Sequence, residues 1–345
     1  MATQLFGLDI GSTSIKVVQL TKDSKGAKIA SVGYCPAPAK GIDSEAENDQ
    51  VALASTIKKL VHDAKITTKL VNTALPESQI YTQVREMTPL SDSELSSAIV
   101  WEAEQTIPLP LSDVSLSFQV LERPTKPTPG AKMSVLLVAA PIRLVNKYIK
   151  VLEMAGFTPI SLETEVIAVW RSLFWGRQTS PPTLIINLGA LTTDVIIVRN
   201  GIINLTRSIS TGGKALARAI ASKLGLEEQV AEEYKVAYGF KESELAGKVA
   251  DAIRVIFDVV LEEIKRVCAF YNQKYTNEPL KQVIIVGGIA KLPGLAIYLA
   301  ESLGLEVQLG NPWGMIQKDE KLLSAIGGAD GPVFTPAVGL ALKEL

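Results

Sequence analysis

Gly7-Leu8-Asp9-Ile10-Gly11-Ser12-Thr13-Ser14-Ile15-Lys16-Val17-Val18 is an aliphatic run, a short polar tip and a second aliphatic run. That pattern predicts a β-hairpin over residues 5–20, with its turn at Gly11, Ser12 and Thr13. The tip has a chemistry of its own. Asp9 can organise water around Mg²⁺, Gly11, Ser12 and Thr13 offer backbone and hydroxyl donors to a phosphate, and Lys16 brings a positive charge from the returning strand. Taken alone, the segment is equally a well-formed hairpin turn, because short motifs recur by chance.

A second copy decides between these readings. Leu184-Ile185-Ile186-Asn187-Leu188-Gly189 leads through Ala190, Thr192, Thr193 and Asp194 into Val195-Ile196-Ile197-Val198. Gly11 and Gly189 correspond at a distance of 178 residues, too long for a solenoid period and suited to two domains built on one plan. The length of 345 residues agrees, since single cores stop growing near 250 to 300 residues. One small-polar turn from each domain would clamp phosphates from opposite sides. A third turn, Val286-Gly287-Gly288-Ile289-Ala290-Lys291, follows an aliphatic run and has two glycines against which a flat base and ribose can lie.

The rest of the chain alternates helix and strand signals. Apolar spacing through Val51, Ala54, Ile57 and Val61 predicts a helix over 50–64, followed by a buried strand at 70–76. Ser91-Asp92-Ser93-Glu94 is a capping box for a helix running toward Gln105, stopped by Pro108 and Pro110. Strands are expected at 114–121 and 133–140, joined by a loop with Pro124, Pro127, Pro129 and Gly130, and a helix at 142–155. Further helices are expected at 214–224, 227–238 and 248–275, with a strand at 282–286.

Composition narrows the function classes. With 47% hydrophobic and 21% charged residues the chain is globular, and its 35 basic against 36 acidic residues give no field that would draw it to nucleic acid. Cys35 and Cys268 are too isolated for a disulfide framework or a zinc site, which fits a reducing cytoplasm. No run approaches 18 apolar residues and the first residues lack a secretory pattern, so a soluble protein is expected. His62, the one histidine, has no nucleophile pattern near it and reads as a surface residue. Trp101, Trp170, Trp175 and Trp313 are scattered and read as core or interface fillers.

The three turns, in this order and spacing, resemble the two phosphate turns and the adenosine turn of the superfamily of actins, sugar kinases and heat-shock chaperone ATPases. Within it the chain is similar, essentially from end to end, to the PilM family and its relative FtsA. The segments that carry this are residues 7–18, Trp101-Glu102-Ala103-Glu104-Gln105-Thr106-Ile107-Pro108, Asn187-Leu188-Gly189-Ala190-Leu191-Thr192-Thr193-Asp194, Arg207-Ser208-Ile209-Ser210-Thr211-Gly212-Gly213, and the closing Pro336-Ala337-Val338-Gly339-Leu340-Ala341-Leu342, similar to the family's last helix.

The resemblance implies an α/β, actin-like (ribonuclease H-like) fold, two duplicated domains around a nucleotide cleft with an FtsA-type (SHS2) inserted small subdomain. The expected division is 1–82 with 161–179 and 316–345 for the first core, 83–160 for the insert, 180–213 with 281–315 for the second core, and 214–280 for its helical subdomain. ATP and Mg²⁺ are the implied cofactors. Beyond the turn residues, the resemblance places Gly212, Gly213 and Lys214 near nucleotide and Glu232 and Lys235 on a ribose- and base-contacting helix, although such a charged pair is also the usual dress of a solvated helix face. Gly212-Gly213-Lys214 is not a Walker motif, lacking its upstream Gly and following Ser or Thr.

Asn187 departs from the Asp that hydrolytic members carry, and an amide cannot take a proton as a carboxylate does. A switch with slow ATPase activity at most is therefore expected. The implied partner is the cytoplasmic N-terminal peptide of a PilN-like inner-membrane protein, held by the insert, with pilus motor ATPases and self-association as further contacts. Localisation would be cytoplasmic, with membrane contact only through that partner. An FtsA-like division filament and a small-metabolite kinase are the competing readings. Recruitment through a partner rather than by an amphipathic C-terminal extension is expected, which weighs against the first, and no substrate-site motif supports the second.

Overall fold

In the computed structural model, which describes residues 4–24, 26–124, 130–177, 180–325 and 331–345, the first hairpin is β1 (Phe6–Ile10) and β2 (Ser14–Asp23). It continues through β3 (Gly26–Pro36), α1 (Glu47–Asp63), β4 (Leu70–Leu75), β5 (Tyr81–Met87), α2 (Asp92–Thr106), β6 (Val114–Glu122), β7 (Met133–Pro141), α3 (Ile142–Met154), β8 (Thr158–Thr164) and α4 (Glu165–Phe174). The second half holds β9 (Thr183–Leu188), β10 (Thr193–Arg199), β11 (Ile202–Ile209), α5 (Gly213–Leu224), α6 (Glu228–Tyr238), α7 (Lys248–Lys274), β12 (Gln282–Val286), α8 (Leu295–Leu303), β13 (Glu306–Leu309), α9 (Glu320–Ala325) and α10 (Thr335–Ala341).

The internal duplication is written in the sheets. One has strand order β3-β2-β1-β4-β8 and the other β11-β10-β9-β12-β13, and in both an antiparallel meander of three strands is extended by parallel strands. Strands covered on both faces need aliphatic residues at every position. Thus Leu184, Ile186 and Leu188 of β9 face a core shared with α5, α7 and α8, while Ile185 faces α4 and the small sheet. In the first half, Leu8, Ile15 and Val71 pack under α1 and α3, and Val18, Leu20 and Ile29 pack on the other side against Trp313, Phe334 and Val338.

Helix α10 reaches the first sheet by close backbone approach. A Cβ on Gly339 would collide with the Ala168 carbonyl of α4, so only glycine lets the two helices cross there.

The third sheet, β5-β7-β6, carries α2 on one face through Leu95, Ile99 and Ala103. The α2 N-terminus has the expected capping box: the Glu94 amide donates to Ser91 Oγ at 3.4 Å and the Ser91 amide to Glu94 Oε2 at 2.8 Å. The other face, through Val84, Leu136 and Val138, packs on the cluster that α4 shares with the second sheet. The expected insert of 83–160 is corrected here. Its sheet occupies 81–141, whereas α3 packs on α1 and β8 pairs in parallel with β4, which assigns 142–160 to the first core. The apolar face of α3 alone could not tell which sheet it would cover.

Trp313 is buried at 3% exposure, but Trp101 is 61% exposed on α2 and fills no core within the chain. His62 is exposed, as expected. Pro127 and Pro129 of the expected loop lie outside the described residues.

Candidate functional site

Between the two large sheets lies a cavity of about 810 Å³. Its walls include the β1–β2 turn, the β9–β10 turn, the start of α5, one face of α6 and the turn after β12. The sheets converge here because each hairpin ends at the same edge of its sheet, so duplication brings two similar turns face to face.

The two hairpin tips close in the same way. The Gly11 amide donates to the Ser14 carbonyl at 3.0 Å, and the Gly189 amide donates to the Thr192 carbonyl at 2.9 Å. At the base of the first tip, Asp9 and Lys16 are register partners. Lys16 Nζ donates to Asp9 Oδ2 at 3.0 Å, with both residues only 6% exposed. The equivalent pair in the second half is Asn187 and Asp194, where Asn187 Nδ2 donates to Asp194 Oδ2 at 3.4 Å.

The start of α5 is tied to the second tip. The Gly213 amide donates to the Gly189 carbonyl at 3.0 Å and the Lys214 amide to the Ala190 carbonyl at 2.9 Å. Lys235 of α6 then reaches over, donating to the Gly213 carbonyl at 3.1 Å and to Glu232 Oε2 at 2.6 Å. Lys235 is 2% exposed and so is not part of an ordinary solvated charged face, whereas the Glu232 side chain is about half exposed at 51%. After β12, Gly287 takes φ +93°, and a Cβ there would strike the Leu188 backbone, which fixes glycine at that corner. Gly288 faces open space, leaving room for a flat group against the backbone.

Asp9, Gly11, Ser12, Thr13, Lys16, Asn187, Gly189, Ala190, Thr192, Gly213, Lys214, Glu232, Lys235, Gly287, Gly288, Ile289 and Lys291 all line this cavity. Two candidates from the sequence stand behind the wall instead. Thr193 is 1% exposed and its Oγ1 donates to the Thr211 carbonyl at 2.8 Å. Gly212 is buried as the N-cap of α5, packed on the backbone of Gly189–Leu191.

Sequence reasoning missed Glu165, the first residue of α4, which also lines the cavity. The available signal was Thr164, whose Oγ1 caps the helix by accepting from the Ile167 amide at 3.2 Å, followed at once by an acidic residue. Burial, and then the charges of Asp194 and Asp9, push the Glu165 carboxyl well above the usual carboxylate range. Burial pushes Asp194 up to about 6, against the hydrogen bonds from Ser208 and Asn187 that favour its charged form. Glu77, just behind the wall, is pushed up to about 7 by burial and by Asp194. The cavity wall and the layer behind it thus carry carboxyl groups with raised proton affinity alongside the ion-paired Asp9 and Lys16.

The model of the family described as type IV pilus assembly protein PilM matches residues 7–345. The chain belongs to the PilM family. Among solved structures, the PilM-PilN type IV pilus biogenesis complex is similar to it at 27% identity, covering 99% of both chains with a TM-score of 0.87. A more distant fold relative is MreB5 of Spiroplasma citri bound to AMPPNP, at 12% identity and TM-score 0.52, covering 98% of this chain and 95% of that one. Cell division protein FtsA of Streptococcus pneumoniae is 24% identical over 347 residues, spanning 89% of this chain and 75% of FtsA. This PilM family member therefore has an actin-like fold and is a type IV pilus assembly component on the FtsA-like branch of that fold.

Proposed function

We propose that the chain is an ATP-binding scaffold of the pilus inner-membrane platform, which holds Mg²⁺-ATP between its two halves and takes the N-terminal peptide of a PilN-like membrane protein on its small subdomain. The observation that carries this is the convergence of three turns and the Lys235–Glu232 pair on one cavity. Support comes from the AMPPNP of the MreB5 structure and the PilN of the PilM complex.

The residues fit an adenine nucleotide. The tips at Gly11–Thr13 and Gly189–Thr192 would hold phosphates, Glu232 and Lys235 the ribose and base edge, and Gly287 and Gly288 the adenosine face. Mg²⁺ favours one or two carboxylates together with phosphate and water oxygens rather than a closed protein cage. Asp9 would meet it through water, and among the described residues no group of three or more metal-ligating side chains is assembled as such a cage. When bound, Mg²⁺ neutralises phosphate charge.

Asn187 holds its amide toward Asp194 and orients rather than deprotonates. Glu165 is a carboxyl at the cavity wall whose burial favours the protonated form, and a carboxyl that already holds its proton cannot take one from water, consistent with slow hydrolysis at most. No helix among the described residues is long and apolar enough to cross a membrane, and in this reading the membrane is reached from the cytoplasmic side through the partner.

Mg²⁺-ATP at a hundredfold excess over its Kd should add about 2.7 kcal/mol of stability. A thermal-melt series with ATP, and titration of a PilN-like N-terminal peptide, test the reading. Melting unmoved by ATP, with no peptide binding, would sink it.

A further inference from the structure

Glu77 belongs to none of the nucleotide turns, yet it stands where three parts of the molecule meet. It lies in the single helical turn 77–79, directly after β4 and directly before β5, the strand that enters the small sheet. Its neighbours Pro76, Ser78 and Gln79 line the cavity, while Glu77 itself turns inward and is 7% exposed. There its Oε1 accepts from the Val166 amide at 3.3 Å. That amide is one of the donors a helix N-terminus leaves unsatisfied, and the Val166 donor sits one residue beyond Glu165, whose carboxyl faces the cavity.

Strand β5 is in turn tied to the second half. Its Thr82 carbonyl accepts from Thr206 Oγ1 at 3.4 Å, and Glu86 accepts from Lys274 Nζ at 2.8 Å and from the Tyr275 hydroxyl at 3.2 Å. A displacement of the α4 N-terminus therefore has a direct mechanical route, one hydrogen bond long, into β5.

We propose that Glu77 is a positioning residue that ties Glu165 in the cleft to β5 through its hydrogen bond to the Val166 amide, so that closure of the cleft is felt by the small sheet. The inference rests on the nucleotide reading above and goes beyond it by naming the link. The bond does not depend on charge: in either protonation state Glu77 presents an acceptor oxygen to the Val166 amide, as the side-chain carbonyl of glutamine does. Coupling of this kind needs an element whose position both sites bias, and the 76–80 turn is that element.

Hydrogen exchange of the full chain, with and without Mg²⁺-ATP, tests this with Glu77→Ala and Glu77→Gln. Without nucleotide, Glu77→Ala should lower protection of the segment 165–168 at least tenfold, and Glu77→Gln should restore most of it. With Mg²⁺-ATP, the turns at 11–13 and 189–193 should gain protection in all three proteins, whereas 82–86 should respond in the unaltered chain and in Glu77→Gln but not in Glu77→Ala.

A β5 response that survives Glu77→Ala, or that is lost equally in Glu77→Gln, overturns the proposal and leaves the nucleotide reading standing. A cleft response with a silent β5 in the unaltered chain does the same. Cleft turns that stay silent in the unaltered chain sink the nucleotide reading and the proposal together. If Glu77→Ala does not fold, Glu77→Asp, one methylene too short to reach the Val166 amide, takes its place with the same expected loss.

Discussion

The two hairpin tips share a backbone and differ in charge. Asp9 and Lys16 face each other across β1 and β2, as Asn187 and Asp194 do across β9 and β10, and the tip hydrogen bonds at Gly11 and Gly189 match to within 0.1 Å. In the first half, however, the pair is a carboxylate with an ammonium, and in the second it is a carboxyl with an amide. The first pair keeps a negative charge in place by neutralising it at 3.0 Å. The second has no cation: burial pushes Asp194 up to about 6, and the hydrogen bonds from Ser208 and Asn187 offset only part of that. Duplication thus supplied the clamp, and divergence at two positions per turn separated a side whose carboxylate has a cationic partner from one whose carboxyl has only neutral partners.

The sharpest way to break this asymmetry is to remove the cation from the first pair. Lys16→Met strands the Asp9 carboxylate in a site where both side chains are about 8% exposed, and breaking a buried pair in this way costs about 3–5 kcal/mol. Urea unfolding without nucleotide at pH 7.5 should show that loss. The mirror substitution Asp194→Asn removes a carboxyl whose buried charge is disfavoured and has no cationic partner in the pair, and should cost about 1 kcal/mol or less. Equal losses in the two variants would erase the distinction between the tips.

The same contrast predicts the direction of pH dependence. Asp194 at about 6 and Glu77 at about 7 both lie above their ordinary values of 3.8 and 4.5, so the native chain retains protons that the unfolded chain has released. Their contribution is fully present below about pH 4 and is lost as pH rises through 6 and 7. Each group taken alone is worth on the order of 3 kcal/mol across its window, at about 1.36 kcal/mol per pH unit. Urea midpoints should therefore fall between pH 5 and pH 7.5, and Glu77→Gln should flatten that slope. A midpoint that rises over this interval would show that the carboxyls ionise without penalty.

Much of this architecture was legible in the sequence because local patterns carried it. The hairpins, the capping box at Ser91 and the largely aliphatic strands β9 and β12 each follow from residues within a few positions of one another. The assignment of α3 was not legible, since its buried face fits either neighbouring sheet and only the parallel pairing of β8 with β4 settles the matter. Glu165 was hidden for a different reason. It lies 22 residues before Asn187 in the chain and 156 after Asp9, and it joins them only when α4 runs between the two sheets. Thr193 shows the opposite error: a polar residue in the right motif turned its hydroxyl to the Thr211 carbonyl and away from the cavity. Motif position identified the turns, but which side chains face inward depended on tertiary packing.

The smallest expected effect bears on the chemistry of the second tip. Asn187→Asp would place two carboxyls in register across β9 and β10, raising the affinity of the pair for a shared proton and supplying a base that the amide cannot be. Phosphate release from Mg²⁺-ATP should rise about tenfold, or roughly 1.4 kcal/mol in the barrier. Glu165→Gln in the unaltered background tests the other carboxyl. If Glu165→Gln abolishes the residual turnover while Asn187→Asp leaves it unchanged, the rate is set by the acid on α4 and the amide at 187 only orients its neighbours. If Asn187→Asp alone raises it, the exchange of one carboxylate for an amide is what separates this cleft from one that turns over quickly.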